Sequence, residues 1–98
     1  MQDGPDDKPS TTAERALIEY PLDYTFKIMG LAGDDFADYA RRLVERVVGH
    51  VEAAQVVVRA SAQGKYHSVS VIARLESEDQ RRAVYLALHE DERVVYYL

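Results

Sequence analysis

The sequence predicts an α+β protein of the ferredoxin-like class, with four strands in one antiparallel sheet and two helices on one of its faces. Segments with apolar residues at every second position alternate with segments in which they recur every three or four positions, in the order β-α-β-β-α-β. A short glycine-containing connection joins the second and third strands as a hairpin. The chain has 98 residues, which favours one domain.

The start of the chain differs in composition from the rest. Residues 1–16 are rich in Asp, Pro, Ser and Thr and carry almost no large apolar side chain, so we expect a disordered tail there and a folded domain over 17–98. A turn is expected at Pro21, Leu22 and Asp23. The N-terminus lacks the basic start and apolar stretch of a secretory signal, which predicts a cytoplasmic location.

The first predicted strand and helix follow this turn. Residues 24–29 alternate apolar and polar side chains, as a half-buried strand does. Asp34 and Asp35 come after a glycine-containing loop and suit a helix start, where acids cap backbone N–H groups and meet the positive end of the dipole. The helix is expected to end near Gly49. Its apolar stripe consists of Phe36, Ala40, Leu43, Val44, Val47 and Val51.

Two strands, a helix and a final strand complete the order. Residues 55–60 and 67–75 are predicted strands rich in β-branched or alternating side chains. Ser77 and Gln80 have the capping-box spacing, so the second helix should begin there and stop before Asp91. Residues 93–98 then form a strand of β-formers. The helix is expected to bury Ala83 or Val84, together with Ala87 and Leu88.

The face of the sheet away from the helices, the open face, is a candidate interface. In the usual arrangement of this fold strands one and three are central, with strand four beside strand one and strand two beside strand three. Tyr96 and Tyr97, with Tyr39 and Tyr85, are aromatic residues that could anchor an interface, although packing explains them equally well. The candidate interface residues are Lys27, Met29, Ile72, Arg74, Val95 and Tyr97.

Two segments resemble a known family. Residues 21–30, Pro-Leu-Asp-Tyr-Thr-Phe-Lys-Ile-Met-Gly, resemble the opening of the YbeD-like family of small bacterial proteins. Residues 59–71, Arg-Ala-Ser-Ala-Gln-Gly-Lys-Tyr-His-Ser-Val-Ser-Val, are similar to the family's hairpin. The likeness runs from about Tyr20 to Leu98. It implies a ferredoxin-like fold close to the ACT-type regulatory domains, which bind amino acids between subunits.

The chain also departs from the family pattern. Ala60, Ala62 and Gln63 stand in the hairpin where the family has Pro, Ser and Lys, and Arg81 occupies an apolar position of the second helix. If the hairpin's hydroxyls and Lys hold a ligand in relatives, these changes argue against the same ligand in this chain.

Two loops are candidate ligand-binding sites. Gly30 and Gly33 lie between a strand and a helix start, where backbone N–H groups could receive a small anion and where ACT-like domains bind effectors, although Asp34 and Asp35 would repel an anion. The alternative is a tight turn. The hairpin contains many polar side chains, which indicates either a surface that recognises a ligand or a turn exposed to solvent. Its candidate residues are Ser61, Gln63, Gly64, Lys65, Tyr66, His67 and Ser68.

Several kinds of chemistry find no support in the sequence. The chain has no cysteine, which excludes disulfides and thiolate sites. His50, His67 and His89 are not spaced as metal ligands, so we expect no metal and no cofactor. Ser68 and Ser70 lack the nucleophile-elbow context of a hydrolase. We therefore expect a non-enzymatic protein.

Three functions fit this fold, of which the first is the leading hypothesis. It is a regulatory module that binds a small metabolite and acts as a homodimer. The alternative is an adaptor that binds a partner protein through the open face or an edge strand. RNA binding is disfavoured, because the outward positions of strand three carry no aromatic and the net charge is -5. No apolar run reaches the roughly 20 residues that span a membrane.

Overall fold

A computed structural model describes residues 18–60 and 64–98. The tail expected over 1–16 lies outside these ranges. A short 3-10 turn, Ala53–Gln55, precedes the second strand. The elements follow the predicted βαββαβ order: β1 (Leu22–Leu31), α1 (Phe36–Val48), β2 (Val56–Ala60), β3 (Tyr66–Leu75), α2 (Glu78–Glu90) and β4 (Val94–Tyr97).

The four strands form one antiparallel sheet in the order β2-β3-β1-β4. The central strands β1 and β3 pair along ten residues each, with Phe26 opposite Val71 and Ile28 opposite Val69. In this register the buried residues of β1 lie opposite buried residues of β3, because directly paired residues on neighbouring strands point to the same face of the sheet. The predicted strand order is confirmed.

The core lies between this sheet and the two helices. Every second residue of β1 and β3 faces the helices, and both helices turn apolar residues toward the sheet. No polar or charged side chain is buried within the described ranges. The buried core consists of Phe26, Ile28, Phe36, Ala40, Leu43, Val44, Val51, Val69, Val71, Ala73, Leu75, Val84 and Leu88.

The two helices begin differently. At the start of α2 the Ser77 hydroxyl accepts a hydrogen bond from the Gln80 N–H at 3.2 Å, and the Gln80 side chain accepts one from the Glu76 N–H at 2.7 Å, which confirms the predicted cap. Asp35 precedes α1, but its side chain makes no capping hydrogen bond. Its carboxylate binds Arg93 instead, so the expectation of a side-chain cap at α1 is wrong.

Another expectation is corrected at the start of β1. The turn expected at Pro21, Leu22 and Asp23 is shorter, since β1 already begins at Leu22. Leu22 pairs with Leu75 and Asp23 with Arg74, so the whole length of β3 has a partner. Backbone hydrogen bonding along β3 therefore extends β1 further than its residue pattern indicates.

The placement of Tyr97 on the open face is wrong. The pairing of β1 with β4 shifts register between Met29 and Gly30, because Tyr96 opposes Met29 whereas Val94 opposes Gly30. Val95 is the extra residue of this bulge. Tyr97 consequently faces the helices, where its ring lies 5.9 Å from that of Tyr85.

Candidate functional site

The two predicted ligand loops meet at one end of the sheet. Gly30 pairs with His67 and Leu31 with Tyr66, because β3 begins where its antiparallel neighbour β1 ends. One residue further on, the Ala32 N–H donates a hydrogen bond to the Lys65 carbonyl at 2.9 Å. Segments more than thirty residues apart in the sequence are therefore neighbours.

The loop between β1 and α1 is held closed by Arg93. Its guanidinium donates to both carboxylate oxygens of Asp35, at 2.7 and 3.0 Å, and lies 5.2 and 4.8 Å from the ring centres of Phe36 and Tyr39. The hydrogen bonds from Arg93 lower the pKa of the Asp35 carboxyl. The Phe36 N–H donates to the Gly33 carbonyl at 3.0 Å. Contacts within the protein thus already engage many of the polar groups of this loop.

Gly30 has a packing role in this loop. A Cβ at Gly30 would lie 2.4 Å from the fully buried ring of Phe36 and 2.8 Å from the Arg93 carbonyl. At Gly33 the nearest atom to such a Cβ is the end of the Arg93 side chain, at 3.0 Å. Gly30 lets Phe36 pack directly against the backbone of β1. Ligand binding by the two glycines remains a prediction.

The hairpin candidates divide between the two faces of the sheet. Ser61 and Gln63 lie outside the described residues. Gly64 has a φ of 72°, the left-handed conformation expected of a turn glycine. His67 shares the helix-side alternation of Val69, whereas Ser68 pairs with Met29 on the open face. The Lys65 ammonium lies 5.6 Å from the Tyr66 ring centre. Among the described hairpin residues, His67 and Ser68 therefore lie on opposite faces of the sheet.

The open face is an ordered grid of side chains from all four strands. One row across the sheet contains Arg59, Ser68, Met29 and Tyr96. The next contains Val57, Ser70, Lys27 and Leu98, and backbone hydrogen bonds of 2.8 and 3.0 Å join the last two. The residues of the open face are Asp23, Thr25, Lys27, Met29, Leu31, Val57, Arg59, Tyr66, Ser68, Ser70, Ile72, Arg74, Tyr96 and Leu98.

The open face is basic, although the whole chain carries a net charge of -5. Arg74 pairs with Asp23 across β1 and β3 at 3.4 Å. Lys27 and Arg59 form no ion pair with the described residues. Both cations are exposed and lie beside exposed apolar side chains. The surface therefore combines positive charge with apolar area.

Of the predicted interface residues, Lys27, Met29, Ile72 and Arg74 lie together on the open face. Sequence reasoning did not select Arg59 or Leu98, and it considered Tyr96 only as an interface aromatic. Arg59 could have been found from the hairpin, since it lies two residues from the outward-facing Val57.

A second polar cluster lies on the helix side, at the start of α2. Arg81 donates to both carboxylate oxygens of Glu78 at 3.0 Å, and its guanidinium lies 5.8 and 5.6 Å from the rings of Tyr24 and Tyr85. The Tyr20 hydroxyl donates to Glu78 at 2.6 Å. Burial, followed by the hydrogen bond with Tyr24, raises the pKa of Tyr85 to about 12. These contacts explain how the charged Arg81 can occupy a position that is apolar in the family pattern.

Within ranges 18–60 and 64–98, no three His, Asp or Glu side chains are placed to share a metal ion. The rings of His50 and His89 lie in different surroundings. His50 contacts Glu52, and His89 contacts the Tyr97 hydroxyl at 3.1 Å. Neither helix in the described part of the chain is long and apolar enough to cross a membrane.

Comparison with known proteins places this sequence among close relatives. A family model described as "Protein of unknown function (DUF493)" matches residues 15–98. The UPF0250 protein RSc0326 of Ralstonia nicotianae is 38% identical over 82 residues, 84% of each chain. A UPF0250 protein of Idiomarina loihiensis is 36% identical over 83 residues, 84% of this chain and 91% of its own. One from Pseudomonas paraeruginosa is 33% identical over 95 residues, 96% of each.

A solved structure has the same fold. The solution structure of protein HP0495 from H. pylori superimposes with a TM-score of 0.67, covering 83% of this chain and 85% of that one. The two sequences are 18% identical, so the likeness bears on the fold alone. It agrees with the ferredoxin-like class predicted from the sequence.

Proposed function

The chain belongs to the DUF493/UPF0250 family of small bacterial proteins, whose function is unknown, and from that premise we propose that it is a non-catalytic domain that binds a partner protein through its open face. One observation carries the proposal. Large apolar side chains stand exposed on this face, with Val57 at 53%, Tyr96 at 56% and Leu98 at 59% of their full exposure. Exposed patches of aromatic and apolar side chains are typical of protein interfaces.

The distribution of polar groups also favours binding over catalysis. Within the described ranges no polar or charged side chain is buried. A catalytic acid or base is normally tuned by burial next to a charged partner, in a cleft that excludes water. The exposed ion pairs of this protein, such as Arg74 with Asp23, are those of a solvated surface.

The small-ligand hypothesis receives less support from this geometry. Two backbone N–H groups of the β1–α1 loop, those of Ala32 and Phe36, already donate to protein carbonyls. Arg93 at the same loop is engaged by Asp35. A ligand that used these groups would have to displace their bonds, whereas Lys27 and Arg59 on the open face form no ion pair with the described residues.

A variant comparison tests the proposal. Ile72→Asp and Tyr96→Asp place a charge on the open face and are expected to weaken partner capture about thirtyfold, the loss that an interface hot spot of roughly 2 kcal/mol gives. Leu86→Asp is the matched control, since Leu86 lies in α2 and is 56% exposed, as Tyr96 is. Quantitative pull-down with the full chain, followed by calorimetry on the recovered protein, measures the effect.

The Leu86→Asp control distinguishes an interface on the open face from one on the helix side. Capture that survives Leu86→Asp and fails with both open-face variants supports the proposal. Capture lost only with Leu86→Asp would move the interface to the helix side and overturn it, as would capture that no variant affects. Circular dichroism of each variant checks that the fold is retained.

A further inference from the structure

A depression of about 240 Å³ lies on the open face between β1, β2 and β3. The central strand supplies its floor through the short side chains of Ser68 and Ser70. Lys27 from one flanking strand and Arg59 from the other form its walls, with Val57 beside them. Strands lie about 4.8 Å apart, so long side chains two strands apart can lean toward each other over the serines.

The depression is lined by hydrogen-bond donors that favour an anionic oxygen group. An ammonium and a guanidinium offer donors and no acceptor, and the two hydroxyls can donate as well. Arg59 can hold a carboxylate through two parallel bonds, which Lys27 complements as a point charge. Within the described ranges neither cation has an acidic partner, so both are available to a ligand.

A smaller depression of about 80 Å³ adjoins the first and is mainly apolar. Lys27 and Ser68 line both of them. Met29, Tyr96 and Leu98 supply the apolar part of the second. A ligand that fills both therefore carries an anionic group and, one short step away, an apolar group.

We propose that the open face binds an acidic protein segment, with carboxylate oxygens between Lys27 and Arg59 and an adjacent apolar side chain beside Met29 and Tyr96. This inference rests on the proposed function and names the chemistry of the partner. A free inorganic anion would leave the apolar depression empty. A nucleic acid would meet the field of a chain with net charge -5, and the residues that line the first depression, Lys27, Val57, Arg59, Ser68 and Ser70, offer it no aromatic for stacking.

The experiment uses the full isotope-labelled chain and three probes: the acetylated peptide Glu-Glu-Leu-Glu-Glu, inorganic phosphate and oligouridine RNA. Amide spectra are recorded during titration. We expect the peptide to shift signals of the open face, to bind more tightly than phosphate or RNA, and to weaken about fivefold or more from about 50 to about 300 mM salt, because exposed charges are screened.

Charge-reversal variants test whether the peptide binds at Lys27 and Arg59. Arg59→Glu and Lys27→Glu should each weaken the peptide about tenfold, since each replaces an attraction by a repulsion. Arg46→Glu changes the net charge equally on the exposed side of α1 and should have no effect. Equal losses in all three variants would indicate general electrostatics and overturn the proposal.

The remaining outcomes are decisive as well. Tighter binding of RNA or of phosphate than of the peptide would overturn the acidic-segment assignment, as would peptide shifts away from the open face. If Tyr96→Asp abolishes partner capture while Arg59→Glu changes neither capture nor peptide binding, the interaction face stands and only the acidic partner is wrong. If capture also survives Tyr96→Asp, the proposed function itself fails.

Discussion

The packing at the end of β1 depends most directly on Gly30, because this residue has no side chain. The buried ring of Phe36, the first residue of α1, occupies the space above it, and the backbone of Arg93 closes the other side. The strand, the helix and the entry to β4 therefore converge on one glycine. A ligand loop and a packing glycine look alike in sequence, since both require small residues after a strand.

Gly30→Ala should destabilise the protein strongly. The added Cβ would lie 2.4 Å from Phe36, so the ring or the strand must move, at a cost of about 3 kcal/mol in the free energy of unfolding. Gly33→Ala is the control, because its Cβ meets only the ends of two side chains, Arg93 at 3.0 Å and Asp35 at 3.2 Å. Urea unfolding measures both. Similar unfolding midpoints for the two variants would show that the packing of Phe36 does not depend on Gly30.

The bulge in β4 is the feature that most changes the functional surface at the scale of a single element. By accommodating Val95 as an extra residue, it directs Tyr96 to the open face and Tyr97 to the helices. Tyr96 thereby extends the row of Met29, whereas Tyr97 packs near Tyr85. One unpaired residue thus exchanges the roles of two neighbouring tyrosines.

Glu78 links the first turn of α2 to the chain entering β1, and this link should depend on pH. Hydrogen bonds from Arg81, and next from Tyr20, lower the pKa of Glu78 from 4.5 to about 2. A carboxyl with a lowered folded-state pKa stabilises the fold above its unfolded value. This contribution is therefore present above pH 4.5 and is lost as the pH falls toward about 2.

Glu78→Gln tests this linkage. The wild-type protein should have a higher Tm than the variant at neutral pH, and the difference should shrink between pH 4.5 and about 2. Glu90→Gln, at the far end of the same helix, removes one carboxyl as a control and should give no such convergence. Calorimetry across the pH range provides the Tm values. A pH-independent difference for Glu78→Gln would contradict the linkage.

Charge is distributed unevenly over the whole molecule. The chain has 17 acidic and 12 basic residues, yet the open face carries Lys27, Arg59 and Arg74 against Asp23. A basic face on an acidic protein favours one orientation of approach by an acidic partner. The proposed interaction therefore depends on how the fold distributes charge, which the net charge does not reveal.

The expected homodimer remains a prediction at this scale. The sheet ends at β2, whose outer edge has no neighbouring strand in the described chain and whose Val57 and Val58 are 53% and 47% exposed. Such edges pair readily with a second chain. Sedimentation equilibrium should give about twice 11.1 kDa, and Val58→Lys should shift the equilibrium to the monomer. Leu86→Lys is the control. A monomer at every concentration would contradict the prediction.

The sequence alone determined the order of the elements, the buried face of each central strand, the cap of α2 and the family. These follow from local patterns: a period of two for Phe26 and Ile28, helical spacing for Leu43 and Val44, and the Ser77-Gln80 pair. It also selected four of the residues that lie together on the open face. Family membership confirms the resemblance carried by residues 21–30 and 59–71.

Only the tertiary structure decided how distant residues combine. The convergence of Lys27 and Arg59, the pairing of Arg93 with Asp35 and the exchange of Tyr96 with Tyr97 each depend on the register between strands or on a contact between remote loops. Register is fixed by the packing of whole faces against the core and by where an extra residue is accommodated. No local sequence pattern contains that information, because the contacts join segments that are far apart along the chain.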